Sequence, residues 1–130
     1  MIGYKRQVPL TYEAAVQKTR DELKKEGFGV LTEIDVKATL KTKLNADFDK
    51  YIILGACNPP FAYKALQAVR DIGLVMPCNV IVYEQNGKTF VSATQPTVTM
   101  TVAKDGVNDK ALTELAAQVE EKLKKAVDSV

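Results

Sequence analysis

Along this 130-residue chain the spacing of apolar positions switches between a period of two and a period near 3.6. Tyr4–Val8 alternates weakly and predicts a short first strand, stopped by Pro9. Thr11 can cap a helix that begins after it, because Tyr12, Ala15, Val16, Thr19 and Leu23 fall on one helical face. Gly27 suits a left-handed helix end, with Phe28 placed to pack back on the helix. Gly29–Ile34 reads as a second strand. Val30 to Leu40 alternates well enough for one long strand, yet Val36, Leu40 and Leu44 are spaced by four after a capping Asp35. The favoured reading is a short helix from about Val36 to Leu44.

Tyr51–Ala56 is a compact apolar run and predicts a buried strand. It leads directly into Cys57-Asn58-Pro59-Pro60, where Asn58 suits an N-cap and Pro59 the first helical position. Phe61, Ala62, Ala65, Leu66 and Val69 would form the buried stripe, and Gly73 would close the helix. Asn79–Tyr83 and Phe90–Thr94 read as strands around a tight Asn86-Gly87 turn. The Thr/Val-rich segment from Gln95 to Val102 reads as a connector that could carry extended structure. Asp105-Gly106 is expected to turn the chain, and Asn108 or Asp109 to start a last helix. Its apolar face would be Leu112, Leu115, Ala116, Val119, Leu123 and Val127, with Lys122, Lys124 and Lys125 at the negative end of its dipole.

These elements predict one α+β domain spanning residues 1–130. Its architecture is a two-layer sandwich, a mainly antiparallel sheet with helices packed on one face. The hairpin at Asn86-Gly87 disfavours the alternative, a doubly wound parallel sheet.

Composition sharpens this mainly by exclusion. There is no histidine, which removes Ser-His-Asp and Cys-His catalysis and most zinc sites. Net charge is +2, from 18 basic and 16 acidic residues mixed along the chain. The lysine groups at 24–25, 41–43 and 122–125 fit solvated helix surfaces, so no nucleic-acid partner is expected. No apolar run approaches the ~20 residues that span a bilayer, and no apolar leader follows Met1, so no membrane partner is expected and the cytoplasm is the expected compartment. Two cysteines in a reducing compartment are expected as thiols.

Two strings carry a family resemblance. Gly55-Ala56-Cys57-Asn58-Pro59-Pro60 is followed some twenty residues on by Met76-Pro77-Cys78-Asn79-Val80-Ile81-Val82-Tyr83-Glu84. With Gly27-Phe28-Gly29-Val30-Leu31-Thr32-Glu33-Ile34 upstream, they resemble the bacterial and archaeal family called domain of unknown function 302, over roughly Tyr4 to Val127. The resemblance implies a two-layer sandwich with a curved antiparallel sheet, akin to the TATA-binding-protein architecture, and a homodimer. It implies no agreed activity, and kinship of fold does not license DNA binding.

The candidate site is the thiol pair Cys57 and Cys78, supported by Asn58, Pro59 and Asn79. If the strands near Tyr51, Val80 and Val91 form a meander, Cys57 leaves one strand where Cys78 enters the next. In a parallel crossover the two would lie about 15–20 Å apart. Cys57 precedes a helix N-terminus, which can depress a thiol pKa. Against this, cysteine often simply fills buried space. A two-thiolate zinc site is incomplete, lacking two ligands that only a dimer could add as thiolates across its axis, so neither a metal nor another cofactor is expected. Glu33 and Asp35 read as ordinary strand residues on a wet face, and Tyr12, Tyr51, Tyr63 and Tyr83 as scattered core or rim residues. Two functions fit these residues: a homodimeric module that binds a ligand or partner, or thiol-based redox, sulfur-transfer or metal chemistry at Cys57 and Cys78. The missing histidine tilts the reading to the first.

Overall fold

The computed structural model describes residues 3–102 and 110–130. The expected turn at Asp105-Gly106 and the start of the last helix lie outside them. Strand β1 (Gly3–Val8) is followed by helix α1 (Tyr12–Lys25), β2 (Gly29–Asp35) and α2 (Val36–Leu44). Then come β3 (Tyr51–Cys57), α3 (Pro59–Ala68), β4 (Cys78–Gln85), β5 (Lys88–Thr94), α4 (Pro96–Val102) and α5 (Lys110–Asp128).

Local chemistry explains most element ends. Thr11 Oγ1 accepts from the Ala14 N–H at 3.1 Å and Asp35 Oδ1 from the Ala38 N–H at 2.9 Å, so both expected N-caps form. Gly27, at φ +86°, ends α1. Its N–H donates to Lys24 O, and the Phe28 N–H donates to Leu23 O at 2.9 Å. This pairing satisfies the last carbonyls and folds Phe28 into the core. Asn86 and Gly87 both take positive φ, as a two-residue hairpin between β4 and β5 requires.

The sheet order is β1-β5-β4-β3-β2, with every neighbouring pair antiparallel. Strand alternation puts Ile52, Leu54, Val80, Val82, Val91 and Ala93 on one face, all buried. Helices α1 and α5 cover that face. The buried stripe of α5 runs from Leu112 to Val127 at the expected spacing. Glu33 and Asp35 have local tasks: Glu33 pairs with Arg20 at 2.8 Å, and Asp35 caps α2.

Three expectations need correction. The segment from Gln95 to Val102 contains helix α4, despite its β-branched residues. Gln95 O accepts from the Val98 and Thr99 N–H groups, and Glu120 of α5 accepts from the Thr97 N–H at 3.2 Å and its hydroxyl at 2.6 Å. A cap supplied from a distant helix is invisible to local propensity. Helix α3 ends at Ala68, not at Gly73. Val69 is extended, and Arg70–Val75 forms a separate 3₁₀ turn that buries Ile72. The tyrosines are also not all scattered. Tyr51 stacks on Tyr83 with ring centroids 5.3 Å apart, and Tyr83 on Phe90 at 5.2 Å. These rings are register partners on the face opposite α1 and α5.

Candidate functional site

The cysteines sit where β3 runs into α3 and where β4 begins. Ala56 and Cys78 are register partners on adjacent antiparallel strands, so Cys57 lies one residue past that pair at the same end of the sheet. Alternation alone would aim Cys57 and Cys78 at opposite faces. β3 stops at Cys57, however, and both residues line one small cavity of about 30 Å³ beneath α3. Its walls come from Ala56, from Phe61 and Ala65 of α3, from Met100 of α4, and from Leu115 and Val119 of α5. The cavity lies where two hydrophobic clusters meet, one centred on the sheet and one on Ile72 and Leu112, and Phe61 packs against both.

The backbone at this end is tightly shaped. A Cβ on Gly55 would collide with Thr32 Oγ1 and come within 2.8 Å of Pro77 Cγ. Only a glycine leaves room here for the Thr32 side chain of β2 and the Pro77 ring at the entry to β4. The Met76-Pro77 peptide bond is cis.

The electrostatics run against an activated thiolate. Burial pushes the Cys57 thiol above its ordinary value. Burial, and secondarily the neighbouring Cys57, push Cys78 up to about 11. The depressed value expected at a helix N-terminus does not arise, and the prolines explain why. Pro59 and Pro60 fill the first two positions of α3, so two of the N–H groups that would face an anion do not exist. Asn58 makes no side-chain cap. Its Nδ2 donates instead to Glu26 O at 3.4 Å, tethering the start of α3 to the end of α1.

The expected supporting residues separate. Asn58 lines the cavity. Pro59 is exposed at the first turn of α3. Asn79 lies on the opposite face of the sheet, in a shallow groove of about 570 Å³ with Lys5, Tyr51, Ile81, Tyr83 and Ser92. Two further cavity residues, Met76 and Met100, are not evident from sequence. Met76 lies beside Cys78 in a string that carries the family resemblance, which is the one signal pointing to it. Met100 has no such signal, because its segment reads as a connector.

Among the described residues no three cysteine or carboxylate side chains cluster as a metal-binding group, and no helix is long and apolar enough to cross a membrane. No curated protein matches this chain. A solved structure, the uncharacterized conserved protein DUF302 from Bacillus stearothermophilus, is similar with a TM-score of 0.90 and 33% sequence identity, covering 99% of this chain and 98% of that one. The family described as domain of unknown function DUF302 matches residues 4–130. A match of that extent, joined to the shared fold, establishes that the chain belongs to the DUF302 family.

Proposed function

We propose that this chain is a cytoplasmic, homodimeric binding module without catalysis of its own, and that its ligand site is the cavity lined by Cys57 and Cys78. The observation that carries the reading is the cavity itself. It is lined by apolar side chains from both core clusters, and Asn58 is its one uncharged polar side chain apart from the thiols. Binding sites are concave and mostly apolar, with a few polar groups. A space of about 30 Å³ suits a guest the size of one or two heavy atoms.

Catalysis is disfavoured by the chemistry at hand. No acid or base lines the cavity, and both thiols are held in the protonated form near neutral pH. The cytoplasmic assignment rests on two unpaired thiols at one cavity, an arrangement that suits a reducing compartment. The homodimer is carried over from the family resemblance. It is supported by the exposed apolar side chains Leu31, Ile34, Leu44 and Phe48, which all fall between β2 and the start of β3.

Xenon, a small apolar probe, tests the site. Titrated into the ¹⁵N-labelled protein, it is expected to shift amides of Cys57, Ala65 and Val119, and Ala62→Leu is expected to abolish those shifts. Shifts confined to other parts of the molecule would remove the cavity as the ligand site. Sedimentation equilibrium tests the dimer, and a protein that stays monomeric across the accessible concentration range would refute it.

A further inference from the structure

The described residues contain four sulfur-bearing side chains, Cys57, Met76, Cys78 and Met100, and all four line this one cavity. They arrive from three places: the end of β3, the entry to β4, and α4. We propose that the cavity is a site for a single soft monovalent metal ion of the Cu(I) class, held by the Cys57 and Cys78 sulfurs with the Met76 and Met100 thioethers completing its shell. The proposal rests on the reading of this cavity as the ligand site.

The donor set decides the class of ion. Thiolate and thioether sulfurs favour Cu(I), whereas carboxylate, carbonyl and water oxygens favour Mg²⁺, Ca²⁺ and Mn²⁺. No carboxylate lines the cavity, so a hard divalent cation finds none of its preferred charged oxygen ligands there. The side-chain amide of Asn58 is engaged with Glu26 O. Zinc favours four strong thiolate, imidazole or carboxylate ligands, and the cavity offers two thiols and no imidazole or carboxylate. Two thiols and two thioethers are enough for a monovalent ion that accepts weak sulfur donors.

Geometry agrees with this class. Cys57 and Cys78 come from neighbouring strands, one residue out of register, and are close enough for Cys78 to feel the charge of Cys57. Methionine has three rotatable bonds and can close on a guest without moving the backbone. On binding, each thiol releases its proton to solvent and the two sulfurs donate to the metal. A bis-thiolate complex of a monovalent cation therefore carries one negative charge. No electron transfer is involved.

The test uses the full chain, fully reduced and anaerobic, with Cu(I) delivered from a competing bicinchoninate complex and Ag(I) as a redox-inert probe. Native mass spectrometry is expected to show one ion per chain. With ¹³C-methyl methionine, Ag(I) is expected to shift the Met76 and Met100 methyl signals and leave Met1 in place. Met100→Leu keeps the side-chain volume and is expected to weaken Cu(I) binding about tenfold. Cys57→Ala and Cys78→Ala are each expected to weaken it more than Met100→Leu does. Capture of Ag(I) with both methyl signals unmoved would overturn the proposal, as would Zn²⁺ binding as tightly as Cu(I). Xenon entry without Cu(I) or Ag(I) binding would overturn the metal site and leave the cavity reading standing. Loss of xenon binding as well would remove both.

Discussion

Replacing Cys78 by alanine is expected to change how stability depends on alkaline pH. The Cys78 thiol is raised from an ordinary 9.0 to about 11 because the fold buries it and Cys57 stands beside it. In the unfolded chain that thiol ionises at its ordinary value. Below pH 9 both states are protonated and the contribution is constant. Above pH 9 the unfolded state releases its proton first, so the folded state loses ground as pH rises towards 11. One pH unit above 9.0 the loss is about 1.4 kcal/mol, the free energy of one pKa unit. Cys78→Ala lowers stability by a constant amount through the cavity it enlarges, but removes this slope. Urea unfolding of both proteins, with a phosphine reductant and a chelator present, reads the effect. Lysine and tyrosine titrations are common to both proteins and cancel. The stability difference should narrow by about 1.4 kcal/mol between roughly pH 7.5 and pH 10. Parallel curves across that range would refute the buried, protonated thiol.

Three further outcomes are expected. Asn58→Asp should destabilise by about 1 kcal/mol in denaturant titrations, because it removes the donor to Glu26 O; an unchanged or raised midpoint would mean that Asn58 acts as a helix cap after all. Gly55→Ala should cost about 1–3 kcal/mol through overpacking against Thr32 and Pro77, with partial recovery in the Gly55→Ala/Thr32→Ala double variant. A neutral single variant would contradict the close packing of Thr32 and Pro77 over Gly55. A double-mutant cycle of Tyr51→Leu and Tyr83→Leu should show a coupling of about 0.5–1.5 kcal/mol, and simple additivity would argue against the stacked pair.

How much the sequence carries depends on the range of the interactions involved. The N-caps Thr11 and Asp35, the Gly27 helix end, the Asn86-Gly87 turn and the stripe of α5 all arise from neighbours within a few residues. Each is legible because a short-range hydrogen bond, a backbone angle or a helical period sets it. The same holds for the absence of histidine and for the paired Cys-Asn strings that carry the family resemblance.

The rest is set by contacts remote in sequence. Asn58 looks like a cap, but the end of α1 lies within its reach and takes its amide. Helix α4 contradicts its own composition because Glu120, twenty-three residues beyond Thr97, accepts from that residue's N–H and hydroxyl. The antiparallel register of β3 and β4 brings Cys57 and Cys78 together, while burial leaves their thiols protonated. Met100 joins Met76 at that cavity only because α4 packs back against α5 and the Arg70–Val75 turn. The chain by itself determined most of the elements and the family. The tertiary structure decided which sulfurs share one space and in what protonation state, because burial and proximity across strands are properties of packing that no local window contains.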